Sequence, residues 1–176
     1  GTVQVVFNGE LYNFRELRDR LERRGHVFRS RTDTEVVVHA YEESGEDFVR
    51  QLRGMFAIAV WDVRRRKLVL ARDHFGQKPL FYADLAGAFV FASEIKALLQ
   101  HPDVPRDIDP VAVDRFFSLQ FVPSPKSFYA AIRRLPPAST LVIEAGAQPR
   151  VARYWSLDHV SPRTIRLEQA LEEVDH

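Results

Sequence analysis

An apolar, β-branched run near the start of the chain ends in an Asn-Gly pair, and this feature most restricts how the chain can fold. The segment reads Thr2-Val3-Gln4-Val5-Val6-Phe7-Asn8-Gly9-Glu10-Leu11-Tyr12-Asn13. A strand that ends here and is followed by a helix would deliver Asn8 and Gly9 at the edge of a sheet. There the Asn8 amide and the Gly9 N–H, which has no Cβ beside it, could converge on one oxygen that gains negative charge. An Asn-Gly pair taken alone is more often an ordinary type I′ hairpin turn.

Composition excludes several classes of protein. The 176 residues include 25 basic and 24 acidic side chains, a net charge of +1, so the chain lacks the basic character of nucleic-acid-binding proteins. Its longest apolar run, 55–61, is too short to cross a bilayer, and its charged opening residues do not resemble a signal peptide. We therefore predict a cytoplasmic protein with no membrane partner and no nucleic-acid partner.

The side chains available for chemistry are also restricted. The chain has no cysteine, which excludes disulfides, thiolate metal sites and a cysteine nucleophile within it. Its six histidines show no ligand spacing, so no metal site is predicted. Arg72 and Asp73 are interpreted as an ion pair that braces the end of a strand.

Hydrophobic periodicity and turn residues divide the chain into short helices and strands. Helices are predicted over 14–24, 34–43, 46–52, 94–100 and 110–119. Strands are predicted over 2–7, 26–30, 55–62, 68–72, 80–83, 88–92, 139–144 and 150–155. Helices and antiparallel strands are grouped and do not alternate, which indicates an α+β fold and not a doubly wound parallel sheet.

Polar residues at the predicted helix starts are interpreted as caps. Asn13 and Glu16 fit a capping box for the first helix, and Gly25 fits its C-terminal end. Asp33 can cap the second helix, and Ser93 can cap the helix predicted from 94. When only its neighbours are considered, a capping role is the simpler interpretation of Asp33.

Five blocks of sequence occur in a fixed order and together resemble one known family. They are FNGELYN at 7–13, RTDTE at 31–35, LRGMFA at 52–57, ARDHFGQKPLFY at 71–82 and FASEIKAL at 91–98. In this order they resemble the glutaminase domain of glutamine-dependent asparagine synthetases, which are class II glutamine amidotransferases. The likeness covers 3–155, because further matches occur at FVPSP (121–125), LPP (135–137) and YW (154–155).

The resemblance implies an amino-terminal nucleophile hydrolase fold, which is a four-layer αββα sandwich of two antiparallel sheets, incomplete at its N-terminus in this chain. It also implies two regions, with 1–160 as the C-terminal part of the amidotransferase domain and 161–176 as a connector into an ATP-dependent synthetase domain. In that family an N-terminal cysteine attacks the side-chain amide of glutamine, and the released ammonia passes to ATP-activated aspartate, which becomes asparagine.

Four residues acquire roles through the resemblance. The Asn8 amide and the Gly9 N–H would form the oxyanion hole, and Asp33 would bind the α-ammonium of the substrate glutamine. Glu10 would lie beside the same pocket, where its backbone could make the contact. With the flanking blocks matched, we prefer the ligand role of Asp33 to a capping role.

The resemblance also implies what this chain lacks. The family's nucleophile would lie upstream of Gly1, and the pyrophosphate-binding loop of the synthetase domain would follow His176. We therefore expect the chain alone to be inactive and to need no cofactor, with ATP and Mg²⁺ used by the synthetase domain. Its expected partners are glutamine and that domain, in a parent that could form a homodimer.

Two alternatives stay open at the level of sequence. One keeps the amidotransferase fold but changes the acceptor, as in polysaccharide or peptide tailoring enzymes, β-lactam synthetases or lasso-peptide cyclases. The other is a catalytically silent module that binds glutamine or a partner. The sequence beyond His176 would decide the first, and the residue after the initiator methionine would decide the second.

Overall fold

The computed structural model describes residues 2–162 and 164–174. Its strands are β1 (Val3–Leu11), β2 (Gly54–Asp62), β3 (Lys67–Arg72), β4 (Phe81–Leu85), β5 (Ala88–Ala92), β6 (Arg133–Arg134), β7 (Ser139–Glu144) and β8 (Arg150–Arg153). Its α-helices are α1 (Phe14–Arg23), α2 (Asp33–Ser44), α3 (Ile95–Leu98), α4 (Pro110–Leu119) and α5 (Leu167–Val174). Two 3₁₀ helices span Gly45–Gln51 and Leu157–His159. Within the described residues no helix is both long enough and apolar enough to span a bilayer.

The strands form two antiparallel sheets. The first has the order β1-β2-β3-β7-β8, and the second has the order β5-β4-β6. β1 is the outermost strand of the first sheet among the residues described. It pairs with β2 in unbroken register, from Val3 opposite Asp62 to Leu11 opposite Gly54.

Hydrophobic clusters on both sides of each sheet define four layers. The first sheet packs one face on α1, α2 and the following 3₁₀ helix, and its other face meets the second sheet. The second sheet is covered on its outer side by α3 and the segment that follows it. Representative core residues of the three interfaces are Leu17, Val37, Phe48 and Ile58; Ala59, Leu70 and Leu141; and Phe81, Leu98 and Ile132. The predicted α+β sandwich of two antiparallel sheets is confirmed.

The prediction that the first strand ends before Asn8 is wrong. β1 continues to Leu11, and Gly9 lies opposite Phe56 inside the ladder. The Asn-Gly pair is therefore not a hairpin turn, because β2 supplies pairing partners along the whole of β1. The helix predicted over 46–52 is present as a 3₁₀ helix.

The strand predicted over 26–30 is also wrong. This segment is an irregular loop between α1 and α2. Its backbone is satisfied by a side chain and not by another strand, because the Arg29 and Ser30 N–H groups donate to the Glu35 carboxylate at 2.7 and 2.6 Å.

The Asn13 capping box does not form. The Asn13 side chain instead donates to Gln51 O at 2.9 Å and accepts from Arg53 N at 3.0 Å, so it ties the end of β1 to the start of β2. The C-terminal prediction for α1 is confirmed, since Gly25 adopts φ +94° directly after the helix.

The predicted caps of α2 and α3 are likewise replaced. Thr32 caps α2 and accepts from Glu35 N at 3.4 Å, while Asp33 is the first helical residue. Ser93 does not cap α3, whose N-cap residue is Glu94 and has no side-chain hydrogen bond. Both Asp33 and Ser93 are engaged with β1 instead, as described below.

Arg72 and Asp73 brace the chain through backbone groups and not as a direct ion pair. The buried Arg72 guanidinium donates to the carbonyl oxygens of Gly76, Lys78 and Leu135. The Asp73 carboxylate is fully buried. It accepts from the N–H groups of Phe56, Phe75, Gln77 and Lys78 at 2.9–3.2 Å. The predicted structural role of the two residues is confirmed, with different partners.

We expect Asp73→Ala to lower the free energy of unfolding by at least about 3 kcal/mol, because several N–H groups would lose their acceptor. Chemical denaturation measures this loss. The matched control is Asp84→Ala, which removes an exposed carboxylate from β4 and should change stability by no more than about 0.5 kcal/mol. Equal effects of the two substitutions would contradict the brace.

Candidate functional site

The open edge of β1 provides backbone donors that the sheet does not use. In an antiparallel pair the N–H and C=O groups of alternate residues point toward the partner strand. Val63 N donates to Thr2 O and Tyr12 N donates to Arg53 O at the two ends of the ladder, so even-numbered residues of β1 face β2. The N–H groups of Gly9 and Leu11 therefore point away from β2, toward the open edge.

Gly9 and Gly54 allow β1 and β2 to approach closely near this edge. A Cβ on Gly9 would lie 2.1 Å from Met55 O, and a Cβ on Gly54 would lie 2.1 Å from Glu10 O. Their φ angles are +154° and +152°. No side chain fits at either position, because in each case the obstacle is the backbone of the facing strand.

Asn8 projects from β1 toward the second sheet. Its side-chain Nδ2 donates to Ser93 Oγ at 2.9 Å, just after β5. The two residues line a small cleft of about 110 Å³ whose other walls are apolar. The wall residues include Val6, Ala57, Leu80 and Phe91. Asn8 itself is exposed, so its amide can be reached from solvent.

Asp33 is attached directly to the open edge of β1. Leu11 N donates to Asp33 Oδ2 at 3.1 Å. Leu11 is two residues beyond Gly9 on the same edge, which separates their N–H groups by roughly 7 Å along the strand. The start of α2 is therefore joined to the end of β1.

Glu35 fixes the loop that delivers Asp33. Besides the two N–H groups already described, the Ser30 hydroxyl donates to Glu35 Oε2 at 2.6 Å. Burial opposes ionisation of Glu35, but the hydrogen bonds from Ser30 and Arg29 outweigh it and lower its pKa to about 2. The carboxylate is thus ionised at neutral pH and holds the loop against the first turn of α2.

The backbone groups of Glu10, unlike the Gly9 N–H, are directed toward β2. As an even-numbered residue of β1, Glu10 directs its N–H and C=O groups to β2, so its backbone is not free for a ligand. Its side chain is exposed on the same face of β1 as Asn8. The cleft beside Asn8 is not lined by Glu10 or Asp33.

Sequence reasoning missed the partners that position these groups. The sequence predicts Ser93 as a helix cap, whereas its hydroxyl accepts a hydrogen bond from the Asn8 side chain. Gly54 was not singled out, although it mirrors Gly9 across the ladder. The signal that could have found Gly54 is its place directly before a long apolar strand, where a glycine with no turn to make suggests close backbone approach.

Comparison with known proteins identifies the class that this fold and site define. Residues 1–155 match the family described as "Glutamine amidotransferase domain", and the chain belongs to that family. It is 40% identical over 158 residues to Asparagine synthetase [glutamine-hydrolyzing] 3 of Bacillus subtilis (strain 168), which covers 89% of this chain and 26% of that protein. It is 41% identical over 156 residues to a Putative asparagine synthetase [glutamine-hydrolyzing] of Mycobacterium tuberculosis (strain ATCC 25618 / H37Rv), an alignment that covers 86% of this chain and 24% of that protein. The chain thus spans about a quarter of the length of these relatives.

Solved structures show the same fold at lower identity. Glutamine phosphoribosylpyrophosphate amidotransferase from B. subtilis, complexed with ADP and GMP, aligns with a TM-score of 0.61 and 23% identity, covering 87% of this chain and 29% of that one. A glutamine aminotransferase class-II domain protein from Silicibacter pomeroyi aligns with a TM-score of 0.51 and 16% identity, covering 87% of this chain and 68% of that one.

We expect Gly9→Ala to lower the free energy of unfolding by about 3 kcal/mol or more, because a Cβ would overlap the backbone of β2. The matched control is Gly87→Ala. Gly87 also has a positive φ, +94°, but a Cβ there would meet nothing within 4 Å. Its substitution should cost only about 1–2 kcal/mol of conformational strain. Denaturant unfolding of both variants separates the two contributions, and equal losses would contradict the close approach.

Proposed function

We propose that this chain forms part of the glutaminase site of a glutamine-hydrolysing asparagine synthetase. The observation that carries the proposal is the hydrogen bond from Leu11 N to Asp33. It links the anionic side chain at the start of α2 to the same strand edge that presents the Gly9 N–H, beside the exposed Asn8 amide. Membership of the glutamine amidotransferase family and similarity to glutamine-hydrolysing asparagine synthetases support the assignment.

The proposed chemistry begins with charge development on an amide oxygen. When a nucleophile adds to the side-chain carbonyl of glutamine, the carbonyl oxygen becomes an oxyanion. The Gly9 N–H points away from β2 and has no Cβ to block approach from the open edge. The Asn8 amide would be the second donor, exchanging its hydrogen bond with Ser93 for one with the substrate. Two such donors stabilise the oxyanion more than the neutral carbonyl, which lowers the barrier.

The α-ammonium of glutamine would be held by Asp33. Leu11 N donates to one carboxylate oxygen, Oδ2, so the other, Oδ1, can face a ligand. Among the residues that the structure describes, Oδ1 accepts one hydrogen bond, from the Thr34 hydroxyl at 3.5 Å. Extended glutamine spans about 5 Å from its α-nitrogen to its amide carbon, as standard bond lengths give. This length is comparable with the roughly 7 Å between the N–H groups of Gly9 and Leu11 along the strand. Glu10 is proposed to border this pocket through its exposed carboxylate.

The remaining steps are proposed for the whole protein and not for these residues. An N-terminal cysteine would supply the nucleophile. A synthetase portion would use ATP and Mg²⁺ to activate aspartate, and ammonia would convert it to asparagine. The length of the curated relatives supports such a portion, because this chain matches only about a quarter of each.

Two assays of the full-length protein test this assignment. Glutamine should be hydrolysed to glutamate, and asparagine should form when aspartate, ATP and Mg²⁺ are present. Hydrolysis without asparagine formation would favour an amidotransferase with another acceptor. Binding of glutamine without hydrolysis would favour a silent module.

Asn8→Ala should lower kcat for glutamine hydrolysis by about 10²–10³, as expected for loss of one oxyanion donor. KM should change little, because the donor acts mainly in the transition state. The control is Gln4→Ala, which removes an exposed amide from the same face of β1. Undiminished turnover in the Asn8 variant would rule out the oxyanion role.

Asp33→Asn and Asp33→Ala should both raise KM for glutamine by about 10–100-fold, because the α-ammonium loses its anionic partner. Only Asp33→Ala should also destabilise the fold, since asparagine keeps an oxygen that can accept from Leu11 N. Steady-state kinetics and denaturant unfolding distinguish these effects. Asp19→Asn, on the exposed side of α1, is the control. If KM is unchanged in Asp33→Asn, the residue is a strand anchor and not a ligand.

A further inference from the structure

A cluster of two histidines and a glutamate lies where α1 leads into α2. His26 Nδ1 and His39 Nδ1 are 3.1 Å apart, and His39 Nδ1 is 3.0 Å from Glu42 Oε2. His26 Nδ1 and the same glutamate oxygen are separated by 3.8 Å. Three potential ligand atoms, one from the residue after Gly25 and two from α2, therefore converge within 4.8 Å of one another.

From these distances we propose that His26, His39 and Glu42 bind a zinc-class divalent cation. Zinc lies about 2.0–2.2 Å from nitrogen and oxygen ligands in tetrahedral sites, which places neighbouring ligand atoms about 3.3–3.5 Å apart. The three observed separations bracket that value. Two imidazoles and one carboxylate leave a fourth position for water, and this donor set suits zinc better than magnesium or calcium.

An outer carboxylate orients the His26 ring for this role, and a second carboxylate lies near the His39 ring. His26 Nε2 lies 3.1 Å from Glu43 Oε2, and His39 Nε2 lies 3.8 Å from Glu35 Oε1. A proton held at Nε2 leaves the lone pair of Nδ1 free to bind a metal, as in the carboxylate–histidine–zinc arrangement.

The backbone fixes the two histidines independently of any metal. α1 ends in a Schellman motif, in which Gly25 N donates to Glu22 O and His26 N donates to Leu21 O. His39 lies on α2, and its ring packs edge-on against the Phe28 ring at a centroid distance of 4.4 Å. The site is thus preorganised, and a bound cation would clamp the loop that leads to Asp33.

Sequence spacing predicted no metal site. His26 and His39 are 13 positions apart and belong to different elements, so no short ligand motif is present. The fold brings them together because α1 and α2 pack against each other and residues 24–32 connect them. The proposal concerns a site separate from the glutamine pocket and does not depend on the proposed function.

Zinc titrated into the 176-residue chain should bind with a stoichiometry of one ion per chain in isothermal titration calorimetry, whereas magnesium should give no saturable heat. The chain has no cysteine, so thiolates cannot contribute a background signal. Cobalt bound in the same place should show the intense visible absorption of a four-coordinate ion, and zinc should displace it.

His39→Ala and Glu42→Gln should each abolish or strongly weaken zinc binding. Glu43→Gln, which alters only an outer carboxylate, should weaken it by about 10–100-fold. His101→Gln, in the turn after α3, is the matched control and should bind zinc as the unaltered chain does.

Circular dichroism should accompany each titration to show that the variants are folded. If His39→Ala does not fold, Glu42→Gln decides, because the Glu42 side chain is 39% exposed and its replacement is conservative. Unchanged zinc affinity in Glu42→Gln, or no saturable binding to the unaltered chain, would overturn the proposal and leave a hydrogen-bonded histidine pair.

Discussion

Hydrogen bonding between β1 and β2 uses the N–H and C=O groups of every second residue of β1, and the candidate site is built from the backbone groups of the residues between them. Gly9 and Leu11 direct their N–H groups to the open edge because their neighbours are committed to β2. One of these donors is taken by Asp33, which positions α2. The other is available beside Asn8. The same ladder that stabilises the sheet therefore sets the orientation of the proposed oxyanion donor.

Charged side chains secure this arrangement mainly through backbone groups. The Asp73 carboxylate accepts hydrogen bonds from backbone N–H groups near the end of β3, and the Glu35 carboxylate accepts from those of the loop before α2. Asp33 accepts from Leu11 N at the edge of β1. A carboxylate that accepts several N–H bonds can organise irregular chain where no strand or helix supplies partners. The loops that carry the site are thus held rigidly without being part of a sheet, and rigid support of this kind is what precise placement of catalytic groups demands.

Much of the fold could be predicted from sequence, because apolar patterning reports the buried faces of elements such as α1 and β2. The failures occur where polar side chains make long-range bonds. Asn13 satisfies the local pattern of a helix cap, yet tertiary contacts with Gln51 and Arg53 prevail. The segment 26–30 contains the strand-forming residues Val27 and Phe28, but within the described part of the chain no strand pairs with it. For the site, sequence indicated Asn8, Gly9 and Asp33, whereas the link through Leu11 required the three-dimensional register.

Gly9 of β1 and Gly54 of β2, which lie opposite Phe56 and Leu11, restrict which residues can occupy these two positions. In each case the steric obstacle is a carbonyl oxygen of the opposite strand, so no change of a neighbouring side chain can make room. Replacement of Gly9 or Gly54 would need the two strands to separate, which would also move the adjoining donors. The lining of the cleft can therefore be changed at positions such as Val6 and Ser93, whereas neither Gly9 nor Gly54 has room for a Cβ.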